Sequence, residues 1–283
     1  TFLFLFSGSV YGQEEVKKKY WDNGKIKREI HYKDGKKDGL ATWWYITGKK
    51  WIETHYKNGE EEGLKKRWYK SGEKNTEVYY KNGKREGLFT YWYRNGKKGS
   101  EMHFKNGKRE GRRTQWNESG EKESETHYKN GEKEGLETWW YPSGRKKRVL
   151  HYKNGKREGL AIWWYITGEK ESKTHYKNGE EEGLSARWHK NGSKQFETHY
   201  KNGKKEGLET WWYKNGSKQF ETHYKNGKEE GLKKSWYESG EKNSEIYHEN
   251  GKREGLSARW HKNGNKQFAT HYKNGEEEGL KKS

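Results

Sequence analysis

The stretch "THYKNGKKEGLETWWYKNG", residues 198–216, decides the fold, because it joins two strand-like segments through an Asn-Gly pair. Residues 195–200 alternate polar and apolar side chains, and residues 208–213 are rich in Thr, Trp and Tyr, so both segments predict β-strands. Asn202-Gly203 between them is a strong signal for a type I′ turn, which needs positive φ at both central residues. The stretch therefore predicts a β-hairpin.

Near-copies of this hairpin recur along the whole chain with a period of 24 residues. Glycines follow that period in three series, from 24 to 264, from 35 to 275 and from 39 to 279, which together contain 33 of the 36 glycines. A period of 20–50 residues is typical of arrays in which each unit contacts its neighbours. The predicted fold class is all-β: an elongated array of about 11 antiparallel hairpins of 24 residues, forming a twisted single-sheet meander or solenoid.

Aromatic residues are predicted to form the core. Leu, Ile, Val and Phe together number only 32 of 283 residues and the net charge is +20, a composition that by itself indicates disorder. The 16 Trp and 21 Tyr argue for order, since each ring can bury roughly 150–250 Å². Their strict spacing favours an ordered protein.

The two faces of the sheet depend on where the strands are irregular. A bulge of one residue at Gly207, with a second irregularity near Gly216, would place the least variable apolar positions on one face. That face would contain Phe196, Thr198, Tyr200, Leu208 and Trp212, and the other Glu197, His199, Glu209, Trp211 and Tyr213. The predicted structural core is Tyr200, Leu208, Gly203, Gly207, Gly216 and one tryptophan per repeat: Trp44, Trp68, Trp92, Trp116, Trp140, Trp164, Trp188, Trp212, Trp236 and Trp260.

The repeat resembles the bacterial variant of the MORN repeat over about residues 20–283. The matching residues are Glu197, Tyr200, Asn202, Gly203, Lys204, Gly207, Trp212, Tyr213, Asn215 and Gly216. The resemblance implies a row of hairpins in a twisted sheet, a scaffold or a lipid- or protein-binding role, and no catalytic residues. Many bacterial variants carry an "antitoxin" label, which implies the alternative of an antitoxin component that neutralises a protein toxin.

The first residues predict export. Residues 1–12 are interpreted as the end of a signal peptide, because an apolar run at 2–6 precedes small residues and a plausible cleavage site after Gly12. A short buried segment is the alternative. Residues 13–283 are assigned to the repeat array, which is expected to be truncated mid-repeat. The predicted location is the bacterial periplasm, the cell surface or the medium, with no transmembrane span, since no later stretch approaches ~18 apolar residues.

Glutamate and histidine recur in columns, as at Glu197 and His199. Equivalent histidines in adjacent repeats would be about 9.6 Å apart, which is awkward for a shared zinc with ligands at ~2.1 Å. The columns are therefore predicted to be a solvated polar face with cross-strand pairing rather than a metal array or acid–base pairs. No catalytic residue, cofactor or metal site is predicted, and the chain is predicted not to be an enzyme.

The leading functional hypothesis is an exported scaffold or binding surface for a protein or an anionic envelope polymer. Aromatic and basic residues interleave, and Lys flanks each hairpin turn, so an anionic lipid surface is a further possible partner, with nucleic acid less favoured. The alternatives are the antitoxin and a salt-sensitive binder of polyanions (anionic lipid, glycan or nucleic acid). The candidate binding surface is Arg187, Glu197, His199, Trp211, Tyr213, Trp163, Trp139 and Trp43.

Overall fold

A computed structural model describes residues 12–278, which form 28 strand segments joined by tight turns. These strands pair in antiparallel fashion, so the prediction of an all-β array of antiparallel hairpins is confirmed. The segments are β1 (Glu14–Tyr20), β2 (Ile26–Lys33), β3 (Lys36–Trp44), β4 (Lys50–Lys57), β5 (Glu60–Glu61), β6 (Gly63–Trp68), β7 (Lys74–Lys81), β8 (Lys84–Trp92), β9 (Lys98–Lys105), β10 (Lys108–Trp116), β11 (Lys122–Lys129), β12 (Glu132–Trp140), β13 (Lys146–Lys153), β14 (Lys156–Arg157), β15 (Gly159–Trp164), β16 (Lys170–Lys177), β17 (Glu180–Glu181), β18 (Gly183–Trp188), β19 (Lys194–Lys201), β20 (Lys204–Lys205), β21 (Gly207–Trp212), β22 (Lys218–Lys225), β23 (Lys228–Trp236), β24 (Lys242–Glu249), β25 (Lys252–Arg253), β26 (Gly255–Trp260), β27 (Lys266–Lys273) and β28 (Glu276–Glu277).

The chain divides into two compact units, Thr1–Glu132 and Lys133–Ser283. In the first unit each strand from β1 to β11 pairs with its neighbours in chain order. In the second unit, β12 to β28 also form a meander in which strands pair with their neighbours in chain order. Short segments such as β20 and β21 are two parts of one hairpin strand, interrupted next to a glycine.

The hairpin turns have the predicted backbone conformation. Asn202 has a φ of 50° and Gly203 a φ of 73°, so both central residues are in the left-handed region, as a type I′ turn requires. The flanking residues Lys201 and Lys204 are direct partners in the ladder. The prediction of a type I′ turn at Asn202-Gly203 is confirmed.

The predicted one-residue bulge at Gly207 is wrong. Tyr200 pairs with Lys205, whereas Glu197 pairs with Thr210, so the register changes by two residues around Gly207. Because side chains alternate with a period of two, an even shift leaves every side chain on its original face. The one-residue irregularity lies at the second turn, between Trp211 and Trp212 and their partners on β22.

The face assignment therefore has to be corrected. Leu208 and Trp212 lie on the same face as Glu197 and His199, which we call the Glu–His face together with its equivalents at 24-residue steps. Glu209 and Trp211 lie with Phe196, Thr198 and Tyr200, and this set with its equivalents is called the core face.

The core face contains the most buried column of side chains. Thr198 is 0% exposed, and its equivalents Ile30, Thr54, Leu150 and Thr222 are at most 3% exposed. By contrast, Leu208 is 41% exposed, so its assignment to the structural core is wrong. The repeated tryptophans, such as Trp212, are half-buried on the Glu–His face rather than in the most buried column.

Side-chain hydrogen bonds connect each repeat to the next at both ends of the strands. At one end the hydroxyl of Tyr213 donates to the backbone oxygen of Trp236 at 3.0 Å. At the hairpin end the backbone N–H of Asn226 donates to Glu206 Oε2 at 2.8 Å. The first bond recurs in the pairs Tyr45–Trp68, Tyr69–Trp92, Tyr93–Trp116, Tyr141–Trp164, Tyr165–Trp188 and Tyr237–Trp260.

The segment interpreted as a signal peptide, residues 1–12, lies outside the described residues except for Gly12, and so do residues 279–283. None of the described residues belongs to a helix that is long and apolar enough to cross a membrane.

Candidate functional site

On the Glu–His face the glutamate column belongs to a structural cluster. Lys194 forms an ion pair with Glu197 at 2.7 Å, and its ammonium lies 5.1 Å from the ring centroid of Trp212. The same pairing of a lysine with the glutamate three residues later occurs at Lys74–Glu77, Lys122–Glu125, Lys218–Glu221 and Lys242–Glu245. His199 is exposed. Within residues 12–278 no three acidic or histidine side chains are placed to hold a metal ion.

The core face of the second unit carries a continuous row of aromatic and basic residues. The register places each member directly opposite the next on the adjacent strand, at a strand spacing of about 4.8 Å. The row, called the core-face row below, consists of Trp139, Arg148, Trp163, Ser172, Arg187, Phe196, Trp211 and Phe220.

Neighbours in the core-face row contact one another through their rings. Phe196 and Trp211 have centroids 4.8 Å apart, and Trp211 stacks on Phe220 at 5.7 Å with an interplanar angle of 23°. The guanidinium of Arg187 lies 5.9 Å from the Phe196 ring, and that of Arg148 lies 4.6 Å from the Trp139 ring. Such cation–π contacts orient the arginines along the row.

Buried charges next to the row are paired. Glu209, which is 2% exposed, forms an ion pair with Lys205 and accepts a hydrogen bond from Trp211 Nε1 at 3.1 Å. Burial raises the pKa of Tyr200 to about 12, and the carboxylates of Glu181 and Glu209 add to that shift. Tyr200 therefore stays a neutral hydroxyl at physiological pH.

His248 occupies the position of Tyr200 two repeats further on and is 6% exposed. Its Nε2 lies 3.2 Å from Glu229 Oε2, and Lys233 and Arg253 also face it. Burial lowers the pKa of His248, and the two cations lower it further, against the opposing effect of Glu229. The imidazole is thus held neutral near pH 7.

In the core-face row, equivalent residues differ in size and charge from repeat to repeat. The position of Trp211 is occupied in successive repeats by Trp43, Arg67, Tyr91, Gln115, Trp139, Trp163, Arg187, Trp211, Ser235 and Arg259. The next position along the chain is Trp in all ten repeats from Trp44 to Trp260. The invariant side chain thus lies on the Glu–His face and the variable one on the core face.

The predicted binding residues do not form one surface. Arg187, Trp211, Trp163 and Trp139 all lie in the core-face row, and Trp43 occupies the same position in the first unit, between Arg28 and Ile52. Glu197 and His199 lie on the opposite face. The hydroxyl of Tyr213 is bonded to Trp236, at the strand end. Grouping all eight as one surface is wrong, because it rested on the one-residue shift at Gly207.

Two kinds of residue were missed by the sequence reasoning. Arg148, Phe196 and Phe220 complete the core-face row, but only the register between strands reveals it. Glu206, which binds the next hairpin, had a visible signal, because Glu or Asp precedes the glycine at this position in every repeat from Asp38-Gly39 onward.

The sequence matches a family model described as the MORN repeat variant, at residues 16–34, 37–58, 85–106, 109–130, 133–154, 157–178, 181–202 and 205–226. These eight segments make up more than half of the chain, and the protein belongs to this family, whose members are generally repeats that bind rather than catalyse. The predicted resemblance is confirmed, and the family fits a repeat binding scaffold. No curated protein is significantly similar to the chain.

Among solved structures, a crystal structure of TcdB2-TccC3 matches 92% of this chain and 18% of its own at 9% identity, with a TM-score of 0.20. A crystal structure of TcdB2-TccC3-Cdc42 matches 84% of this chain and 16% of its own at 10% identity, with a TM-score of 0.18. The chain thus spans less than a fifth of these matched chains. At such scores the likeness carries no argument about fold or function.

Proposed function

We propose that this protein is a non-catalytic scaffold that binds a protein partner through the core-face row of the second unit. The proposal rests on the contrast, within the repeat, between positions that hold similar residues throughout the array and one position that varies. Residues that hold the repeats together are the same or chemically similar in most repeats, as at the Tyr213 and Glu206 positions, whereas the Trp211 position carries a different set of aromatic, basic and polar side chains along the array. A surface that only stabilised the sheet would gain nothing from this variation.

The composition of the row favours a protein partner. Trp and Arg are the side chains most enriched in the energetically dominant centres of protein interfaces, where they combine a large apolar area with directional contacts. Trp163 and Trp211 are half-buried, so each is held by its neighbours while one part of its ring faces solvent. Ordered aromatic rings lose little conformational entropy on binding.

A pair of matched variants on opposite faces tests the proposal. Proteins that co-purify with the wild-type chain from its native cells would be identified, and the affinity of the purified partner then measured by calorimetry. Trp211→Ala should weaken binding at least about tenfold, since truncating an interface centre typically costs 2 kcal/mol or more. Leu208→Ala, an exposed apolar residue on the Glu–His face, should leave the affinity unchanged. Equal losses in both variants would refute a binding site on the core face.

A second candidate function, polyanion binding, is favoured by the hairpin tips. Lysines stand directly opposite each other in the pairs Lys33–Lys36, Lys81–Lys84, Lys105–Lys108, Lys153–Lys156, Lys201–Lys204 and Lys225–Lys228. Like charges directly opposite destabilise a sheet, so their repetition suggests a use outside folding. Polyanion binding would be supported if the logarithm of the heparin-binding constant falls linearly with the logarithm of the salt concentration. Salt-independent or absent binding would exclude it.

Export is part of the same proposal and is supported by the apolar run at residues 2–6. Fractionation of native cells with an antibody against the repeat array tests it. Recovery of the protein in the cytoplasm alone would refute export.

A further inference from the structure

Among the residues that the structure describes, no cation lies over the ring of Tyr200, whereas one lies over most of its equivalents on the core face. Tyr200 belongs to a column in which the chain's own lysine or arginine usually lies over the ring. The covered pairs are Lys37–Tyr56, Arg85–Phe104, Arg109–Tyr128, Lys133–Tyr152, Arg157–Tyr176, Lys205–Tyr224 and Arg253–Tyr272, with the cation 4.7–5.3 Å from the centroid. In the repeat of Tyr200, the position that supplies this cation is Glu181.

Elsewhere a glutamate at the Glu181 position is followed four residues later by a lysine. Glu61 forms an ion pair with Lys65, whose ammonium also lies 5.4 Å from the ring centroid of Tyr80, the equivalent of Tyr200. Glu229 pairs with Lys233 at 2.8 Å. The sequence reads "EEGLKK" at 61–66, 229–234 and 277–282, but "EEGLSA" at 181–186. Ser185 thus replaces the lysine in this repeat alone among the four.

Glu181 is therefore left without a counter-charge. Across residues 12–278, no lysine or arginine is ion-paired with its carboxylate, and no cation lies over the Tyr200 ring. The hydroxyl of Ser185 instead forms a hydrogen bond with the hydroxyl of Thr174 at 2.9 Å, so this short side chain does not reach out over the face as a lysine would. Lys65, at the Ser185 position of the first unit, is only 13% exposed, so a lysine here belongs to the packed surface.

A cavity of about 430 Å³ opens beside Glu181. Its walls include the rings of Trp163 and Tyr176 and a second carboxylate, Glu171, which likewise has no ion pair among the described residues. Arg187 also lines the cavity, and its guanidinium is 5.9 Å from the Phe196 ring on the adjacent strand. An unpaired carboxylate, Glu181, beside the Trp163 side chain forms an environment that attracts a cation with a flat or aliphatic stem.

We infer that Glu181 and Trp163 bind a lysine or arginine side chain of the protein partner, which supplies to Glu181 the counter-charge that Lys65 supplies to Glu61. This assignment rests on the proposed function, since it makes the cavity the pocket of the core-face row that receives a side chain. The Glu181 carboxylate pairs with the cation, and Trp163 on the cavity wall contacts its stem.

Small amides test the site without the partner. N-acetyl-lysine methylamide and N-acetyl-arginine methylamide would be titrated against the ¹⁵N-labelled full chain, with N-acetyl-norleucine methylamide as the uncharged match. The indole N–H signal of Trp163, assigned from Trp163→Phe, is the readout. We expect it to shift with the two cationic amides and not with the norleucine amide.

Three variants that each change the net charge by the same amount locate the site. Glu181→Gln and Ser185→Lys should each weaken binding of the cationic amides about tenfold, the first by removing the carboxylate and the second by filling its place. Glu180→Gln, on the exposed side of the hairpin, should bind like the wild type. Ser185→Lys should also raise the thermal unfolding temperature, because it restores the pair found at Glu61 and Lys65.

Several results would overturn the inference: no shift with either cationic amide, an equal shift with the norleucine amide, or undiminished binding by Ser185→Lys. The partner experiment is separate. If Trp211→Ala leaves the partner affinity unchanged while the amides still bind, then the site is correct and the proposed core-face interface is wrong. If the cationic amides do not bind but Trp211→Ala still weakens partner binding, then the proposed core-face interface is correct and the cation site is wrong.

Discussion

Removing the hydroxyl of Tyr213 measures what one bond between repeats contributes to stability. The Tyr213 hydroxyl donates to the backbone oxygen of Trp236 at 3.0 Å, and both residues are half-buried. Tyr213→Phe deletes only the oxygen and keeps the ring. A hydrogen bond contributes about 0.5–1.5 kcal/mol net, and water can reach a half-buried carbonyl, so the expected loss is about 1 kcal/mol.

The loss should be visible both globally and locally. For a protein of 150–250 residues, about 1 kcal/mol corresponds to a fall of roughly 2–4 °C in the unfolding temperature. Since each repeat contacts only its neighbours, hydrogen exchange should accelerate most for amides of β22, β23 and β24, next to Trp236. The reverse change, His189→Tyr, should stabilise, because the His189 ring nitrogen lies 3.3 Å from the Trp212 oxygen, a long bond for this position.

The control is Tyr247→Phe. Tyr247 is 43% exposed, and within residues 12–278 its hydroxyl has no hydrogen-bond partner, so this variant should be nearly neutral. Partner affinity should be the same for Tyr213→Phe and the wild type. Equal stability of Tyr213→Phe and Tyr247→Phe would show that water replaces the Tyr213 hydroxyl without cost. In that case the hydrogen bond from Tyr213 to Trp236 would not contribute to the stability of adjacent repeats.

Three further substitutions have calculable outcomes. Gly207→Ala should cost about 1–2 kcal/mol in thermal unfolding, because φ is 81° and no atom near the added Cβ offers a compensating contact; an unchanged unfolding temperature would contradict this. The pKa of His248 is lowered in the folded state, so the unfolded chain binds the proton first and the wild type should lose stability as pH falls below about 6.5. His248→Tyr should abolish this loss. The pKa of Glu229 is also lowered, but the loss of stability from its protonation begins only near pH 4.5 in both proteins. Parallel stability–pH curves between pH 7 and 5 would disprove that. Lys204→Glu should stabilise by about 0.2–1 kcal/mol by removing its repulsion from Lys201, and the gain should shrink in 1 M salt; denaturation at two salt concentrations measures it.

The features that the sequence predicted correctly depend on backbone conformation within a few residues. Asn202-Gly203 specifies a type I′ turn because these two residue types tolerate positive φ, and no distant contact is needed for that choice. The 24-residue period and the alternating segments then suffice for the antiparallel meander. Local chemistry therefore determines the order and direction of the strands.

The faces could not be derived in the same way. Gly207 has positive φ whether the strand gains one residue or two, so the glycine alone does not distinguish the alternatives. The segment around Gly207 that contains the two extra residues includes Glu206, whose carboxylate accepts a hydrogen bond from the backbone N–H of Asn226, twenty residues later. Because that bond joins two repeats, it is invisible to reasoning within a single repeat, and the single-residue error moved Leu208 and Trp212 to the wrong face.

The aromatic column of the core face explains how a chain with few aliphatic residues leaves only selected rings available for binding. The ammonium groups of three lysines lie over the rings of Tyr56, Tyr152 and Tyr224, so part of the positive charge of this protein covers its own rings. Accessible ring surface then remains where that cation is missing, as at Tyr200, or where the repeat places an aromatic residue outside its reach, as at Trp211. The residue at the Trp211 position varies from repeat to repeat, and so does the residue at the Glu181 position, which supplies or omits the cation. If the core face binds a partner as proposed, that partner is selected by the places at which the chain omits its own cations.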